Sequence, residues 1–403
     1  MSPFPLQRAA ARTSMISIVA LVVLFVIGPT AVRSSGRLQR RILLQDCTPN
    51  PKMPTNCTKI SRAEVSRVVA PVARVGTDMK LRLLVMVVSY MASSSCGARA
   101  GANVDDVLNA YTGDLGHMNF LHNCSYGQVT YSNVTVISTS LPCTTYLDQC
   151  DTSDISFAAK ASAESQYGRD FMSSYSRYAY VLPEGLESRI CGWMGVAELP
   201  GTQTWYTPDE EGIFNKGTVL HESLHNFGIY HSRRYEIYND NSTSMGMGQS
   251  CPSAPELRRL GWASPLAQLN SSTFPTRTFK TFTLPATYVT SEGNMIWIQP
   301  DWVLPKPYKK NLYLALRMKG GGDRDLLDEF DGKVSVHEVD KDLDNSLEEV
   351  TDDPQISMLG TLGPSTPPLD LRVYRLSIRV GALVGNTITV NVCRFDNRSA
   401  ECK

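Results

Sequence analysis

Residues Thr218 to Ser232 read TVLHESLHNFGIYHS and contain the pattern H-E-x-x-H-x-x-G-x-x-H as His221, Glu222, His225, Gly228 and His231. On a helix, residues four apart share a face, so His221 and His225 offer imidazole nitrogens to one ion. Glu222 projects about 100° away, beside the metal rather than on it, where a carboxylate can take a proton from metal-bound water. Gly228 can adopt positive φ, which ends the helix and turns the chain sharply. That turn brings His231 back as a third ligand. Three protein nitrogens leave one position open for water and substrate, the arrangement of a catalytic rather than a structural zinc. Zinc so held lowers the pKa of its water to about 7 and polarises a carbonyl. Three imidazoles do not by themselves exclude copper or another first-row metal, so the ion is inferred, and zinc is the expected one. Half of the six histidines fall inside this pattern, and its full length is far more specific than a bare HExxH.

A helix of this kind needs a sheet behind it. LRLLVMVVSYM at Leu81 to Met91 has the continuous apolar, β-branched character of a buried strand. A helix is expected around Val104 to Ala110, an alternating strand at Gln128 to Ser138, a second helix over Ser153 to Gln166, and strands at Tyr178 to Leu182 and Cys191 to Leu199. That order predicts a twisted α/β sheet. After about Ser264 the pattern changes: TFKTFTL, NMIWIQ, NLYLALRM, KVSVHEV, LRVYRLSIRV and TITVNVCRF cluster or alternate β-formers between turns, predicting a second, β-rich domain.

Composition narrows the setting. Thirty-nine Lys+Arg balance thirty-nine Asp+Glu over 403 residues, so no global field draws the chain to nucleic acid or to an anionic membrane. Ten cysteines are spread singly, with no CxxC pair, which suits disulfides in an oxidising compartment. Met15 to Ile27 form an apolar run behind Arg8 and Arg12, followed by Gly28, Pro29, Thr30 and Ala31, the anatomy of a signal peptide cleaved between Ala31 and Ser35. The run is shorter than the roughly 20 residues that span a bilayer. Membrane contact is therefore expected only through this signal. Arg33, Arg37, Arg40 and Arg41 argue weakly against translocation. The cysteines and six N-x-[ST] sequons, at Asn56, Asn123, Asn133, Asn241, Asn270 and Asn397, outweigh them and predict a secreted glycoprotein. Arg40-Arg41 is either a processing site or a solvated charge pair. The expected segments are 1–35 signal, 36–75 short pro-region or N-terminal extension, 76–264 catalytic domain and 265–403 β-rich domain.

The motif resembles that of the metzincin metalloendopeptidases, and YNDNSTSMG at Tyr238 to Gly246 looks like their Met-turn, with Met245 as its methionine. A closer resemblance is to the gametolysin family, matrix-degrading and cell-wall-lysing proteases of volvocine green algae. It is carried by MGVAELPGTQTW, HNFGIYHS, Tyr238-x-Asp240-x-Ser242-x-x-Met245-Gly246, CPSAPELRRLGW, and more loosely LYLALR and KVSVHE, from about Leu81 to the C-terminus. The resemblance implies an α+β fold: a metzincin-type catalytic domain with a twisted mixed sheet and an active-site helix, followed by a β-rich C-terminal domain. It further implies an edge strand at Met194 to Leu199 that pairs with an extended substrate, and extracellular proline- or hydroxyproline-rich glycoproteins as substrates. The place of action would be the extracellular matrix or the periplasmic, cell-wall space. Where the family commonly has HE-x-G-H, Ser223 and Leu224 stand here, positions that do not ligate. A glycan at Asn241 would lie close to the cleft. The N-terminal segment is short for the family's pro-region, and Cys47 or Cys57 is either a blocking thiolate or, more simply, part of a disulfide. Two rivals are a catalytically silent matrix-binding homologue, which intact Glu222 and three ligands oppose, and a membrane-tethered sheddase, which turns on cleavage after residues 15–27.

Other features are assigned bland roles. His117, His122 and His337 are expected to be structural or surface histidines. The acidic stretch Glu338 to Asp353 lacks the EF-hand glycine and glutamate, with Asn345 and Thr351 in their places, so a solvated loop is expected and calcium is unsupported. Gly320 to Gly322 is expected to be a turn, and Trp297 and Trp302 core.

Overall fold

The computed structural model describes residues 45–50, 53–62, 78–303, 307–346 and 352–403, with backbone alone for the first two stretches. The signal-like run, Arg40-Arg41 and the side chains of Cys47, Asn56 and Cys57 lie outside the described residues. The chain divides into two compact units, Met1–Val68 and Val69–Lys403. In the first, β1 (Gln45–Asn50) pairs antiparallel with β2 (Met53–Arg62).

The second unit begins with β3 (Met79–Met91), an internal strand of a five-stranded sheet. Its neighbours are β4 (Val129–Pro142) and β5 (Arg177–Val181), both parallel to it. Beyond β5 lie β6 (Gly195–Ala197) and β7 (Gln203–Tyr206): β7 is parallel to β5, and β6 closes the sheet as an antiparallel edge. A mixed α/β architecture results. The unbroken apolar run in β3 has a clear cause, since side chains alternate between faces and both faces are covered. Leu81, Leu83, Val85 and Val87 pack in one cluster with Val219, Leu220 and Leu224 of the helix Lys216–Asn226. Leu84, Met86, Val88 and Tyr90 pack in another with Ile155, Ala159 and Ala163 of the helix Thr152–Tyr167. Those three recur every fourth residue and form that helix's buried stripe. Asp151 caps its start, accepting the Ser153 and Asp154 N–H groups.

The β-rich segment builds two further sheets. Its strands, preceded by the short hairpin β8 (Arg233–Arg234) and β9 (Glu236–Ile237), are β10 (Ala267–Leu269), β11 (Lys280–Pro285), β12 (Ile296–Ile298), β13 (Lys310–Arg317), β14 (Lys333–Asp340), β15 (Ser357–Leu362), β16 (Leu369–Leu371), β17 (Leu376–Val384) and β18 (Thr387–Arg394). One sheet runs β10-β12-β13-β14-β15-β8-β9 and the other β11-β18-β17-β16. Leu312, Leu314, Leu316, Val334 and Val336 from the first and Ile378, Ile388, Val390 and Val392 from the second fill the core they share. The cluster holding the site helix also takes in Trp297, Tyr313, Val339 and Ile356. The change of pattern near residue 264 thus falls within one compact unit whose core runs across it.

Among the described residues, four disulfides join Cys96 to Cys143, Cys124 to Cys251, Cys150 to Cys191 and Cys393 to Cys402. Two sequence expectations need correction. Of Cys191 to Leu199 only Gly195–Ala197 is strand, because Ser188–Cys191 turns helically and is tied down by the Cys150 disulfide. LRVYRLSIRV is broken by a 3-10 turn at Arg372–Tyr374, followed by Arg375 at φ 50°.

Candidate active site

The helix Lys216–Asn226 starts at Asn215, whose side-chain oxygen accepts the Thr218 N–H. It ends in a Schellman arrangement: the Ile229 N–H donates to Leu224 O at 3.1 Å and the Gly228 N–H to His225 O at 2.8 Å, with Gly228 at φ 84°. Ile229 and Leu224 share the hydrophobic cluster beneath. Gly228, the expected turning point, has a left-handed backbone that glycine alone adopts without strain.

The turn brings three imidazoles together. His225 Nε2 lies 3.0 Å from His221 Nε2 and 3.0 Å from His231 Nε2. Two rings are fixed from behind: His221 Nδ1–H donates to Ser244 O at 2.7 Å, and His225 Nδ1–H to Ile229 O at 2.6 Å. A carbonyl only accepts, so Nδ1 carries the proton and the bare Nε2 lone pairs face one another. Burial, then the neighbouring imidazoles, lowers His221 to about 3 and His225 to about 4, and burial likewise lowers His231. The rings are neutral at pH 7. Converging lone pairs on neutral imidazoles are satisfied by a cation and by little else, so the donors fit a first-row metal with a position open.

Glu222 is buried next to this cluster, and burial pushes its carboxyl up to about 8. The edge strand β6 reaches it at Gly195. A Cβ there would sit 2.7 Å from Glu222 Cγ and 2.8 Å from Oε1. Only a residue without a side chain lets the strand lie against the carboxylate, and nothing in the local sequence singled out Gly195 for this. Tyr238 closes another side: its ring centroid is 4.3 Å from that of His231 and 6.1 Å from that of His221. Its phenol is raised by burial and by the charge of Glu222. Tyr238 stands inside the segment that carries the Met-turn resemblance, but no spacing rule marked it as a neighbour of the three histidines. Met245 is fully buried in the core cluster under the helix, and its carbonyl accepts the Ser232 N–H at 2.9 Å.

Other expected residues take their places elsewhere. His117 is buried, donates from Nε2 to Ile213 O at 2.8 Å and meets Tyr111 edge-on, while His122 is exposed. His337 is buried, not on the surface. Asn123, Asn133 and Asn397 are exposed, and Asn241 and Asn270 half-buried. Gly321–Asp323 is a 3-10 turn, as Gly320 to Gly322 suggested. Trp297 is buried and Trp302 packs edge-on against Phe274. The expectation of a solvated loop fails at Asp344, which is fully buried and accepts from Trp297, Asn311, Tyr313 and Arg258. Its donors come from distant strands and a distant helix, and a carboxylate so satisfied has no need of calcium. Among the described residues, the one other grouping of metal-binding types is Cys96, Cys143 and Asp148, whose cysteines are bonded to each other. No helix among the described residues is long and apolar enough to cross a membrane.

The sequence model described as gametolysin peptidase M11 matches residues 82–368. Autolysin of Chlamydomonas reinhardtii is 27% identical over 196 residues, a match spanning 40% of this chain and 30% of autolysin. The archaemetzincin structure from Methanopyrus kandleri superposes with a TM-score of 0.23 at 16% identity, covering 45% of this chain and 85% of that one, a likeness too slight to bear on the fold.

Proposed function

The chain belongs to the gametolysin M11 family of metallopeptidases, and from that premise we propose that it is a secreted zinc metalloendopeptidase acting on extracellular matrix or cell-wall glycoproteins rich in proline or hydroxyproline. The observation that carries the catalytic reading is the convergence of His221, His225 and His231 Nε2 beside a buried Glu222. When bound, zinc supplies a Lewis acid and a water acidic enough to attack at neutral pH. The three imidazoles would hold it, with His221 and His225 kept in the required tautomer by Ser244 O and Ile229 O. Glu222 takes the proton of the attacking water on its carboxylate and returns it to the leaving amine. A desolvated carboxylate is a stronger base, and the positive charge of a bound ion would hold it ionised at neutral pH. The outer edge of β6, paired only through β7 among the described residues, receives the substrate as an added strand, which favours internal bonds of an extended chain. Tyr238 packs against His231.

The likeness to an algal autolysin supports the wall or matrix substrate, and the disulfides and sequons support secretion. The test is to express the chain through a secretory pathway beside Glu222→Ala, and to follow chelator-sensitive cleavage of casein and of a hydroxyproline-rich wall glycoprotein, with metal content. Wild type that cuts, beside a variant that keeps its zinc and does not, supports the mechanism. The ratio between the two substrates tests the wall reading. Zinc in both and cleavage by neither, after removal of residues 1–75, moves the silent binding homologue ahead.

A further inference from the structure

His221 and His225 each have an imidazole hydrogen bond that orients them, but His231 has no such bond among the described residues. Its placement rests on the backbone that follows it. Ser232, the next residue, is fully buried, and its hydroxyl donates to Asp240 Oδ2 at 2.7 Å. Asp240 Oδ1 accepts the Ser242 N–H at 3.0 Å and the Ser242 hydroxyl at 2.6 Å, on the approach to Met245. One carboxylate therefore ties the loop after His231 to the turn whose Ser244 carbonyl orients His221. The carboxylate is itself held from a distant strand: His337 on β14, 1% exposed, donates from Nε2 to Asp240 Oδ2 at 3.0 Å. The same loop meets the β-rich sheet a second time, through Arg233 N–H to Ile356 O at 3.0 Å and an ion pair between Arg233 and Asp353.

We propose that His337 is a positioning residue for the metal site: through Asp240 and Ser232 it anchors the loop carrying His231 to the C-terminal sheet. The β-rich segment is then part of the site rather than an appendage to it. Resting on the metalloprotease reading, the inference extends it to residues that ligate nothing. The geometry favours this over simple core filling, because an apolar residue at 337 would leave Asp240 Oδ2 short of a donor in a buried position and slacken its grip on Ser232. Partners that hold a ligand in place typically cost 10- to 100-fold in metal affinity when removed.

The experiment uses the full chain and three variants, His337→Ala, His337→Gln and Ser232→Ala. Zinc affinity is read by competition with a chromogenic chelator, and site geometry by the visible absorption of the Co²⁺ form. The expected result is a loss of about tenfold in affinity for His337→Ala and Ser232→Ala with an altered Co²⁺ spectrum, and partial rescue by His337→Gln, whose amide keeps a donor. The double variant Ser232→Ala/His337→Ala should be little worse than either single one, since both act through Asp240. Unchanged affinity and spectrum in a folded His337→Ala, or in Ser232→Ala should His337→Ala fail to fold, would overturn the inference alone. A wild-type chain that takes up no metal overturns the metalloprotease reading, and this inference with it.

Discussion

Substituting Gly195→Ala tests the catalytic geometry at its tightest contact. The added Cβ would stand 2.7 Å from Glu222 Cγ, 2.8 Å from Oε1 and 3.0 Å from Thr218 Cγ2. Carbon atoms rest about 3.5–4.0 Å apart, so roughly 1 Å must be recovered. The Cγ atom belongs to the side-chain stem, and the helix under it is anchored by Val219, Leu220 and Leu224 in the core. Rotation of the end of Glu222 alone cannot clear the clash. Either the carboxylate swings out of line or the edge strand lifts. A misplacement of about 1 Å at a reacting group costs on the order of 100-fold in rate. Peptide cleavage measured as separate kcat and KM should show kcat down about 100-fold, with zinc content unchanged, because the three atoms nearest the new Cβ belong to Glu222 and Thr218. In a Glu222→Ala background the same substitution should cost almost nothing further, since its target is already gone. A Gly195→Ala enzyme within threefold of wild type would refute the packing argument. An equal loss in both backgrounds would refute the link to Glu222 and place the effect on substrate pairing along β6.

Three further outcomes are expected. Gly228→Ala should destabilise the chain by about 1 kcal/mol in urea denaturation, the cost of a left-handed backbone at φ 84° for a residue with a Cβ. Replacing both Cys124 and Cys251 by Ala should cost roughly 2–5 kcal/mol, since this disulfide closes a separation of 127 residues; urea midpoints report it. Burial alone would raise the Asp240 carboxyl, but attraction to His337 and hydrogen bonds from His337, Ser242 and Ser232 hold it down to about 2 from 3.8. A depressed carboxyl lends stability that is full above its unfolded value and lost as pH falls through its folded value, so the window is about pH 4 down to 2. The gap is worth about 2 kcal/mol. Urea midpoints across that window should fall less steeply in Asp240→Asn than in wild type, and parallel curves would count against it.

Much of the site was legible because helical spacing is local. His221, Glu222 and His225 are placed by 3.6 residues per turn, and Gly228 by the sign of its φ, so their convergence follows once the helix forms. The buried strand β3 was legible for a similar reason: covering both its faces demands an unbroken apolar run. Cys191 to Leu199 misled because its apolar residues have strand character while a disulfide holds the first of them in a helical turn. Asp344 misled because its acidic neighbours suggest solvent, whereas its four partners come from residues 258, 297, 311 and 313.

The sequence by itself determined the spacing of His221, Glu222 and His225 on one helix and the turn after which His231 follows. Tertiary structure alone decided what those groups lean on: Gly195 against Glu222, Tyr238 over His231, and His337 reaching across 97 positions to Asp240. Spacing carries information only over the few residues that one turn or one strand spans. Contacts made by folding two distant segments together depend on sheet order and register, which no local period encodes.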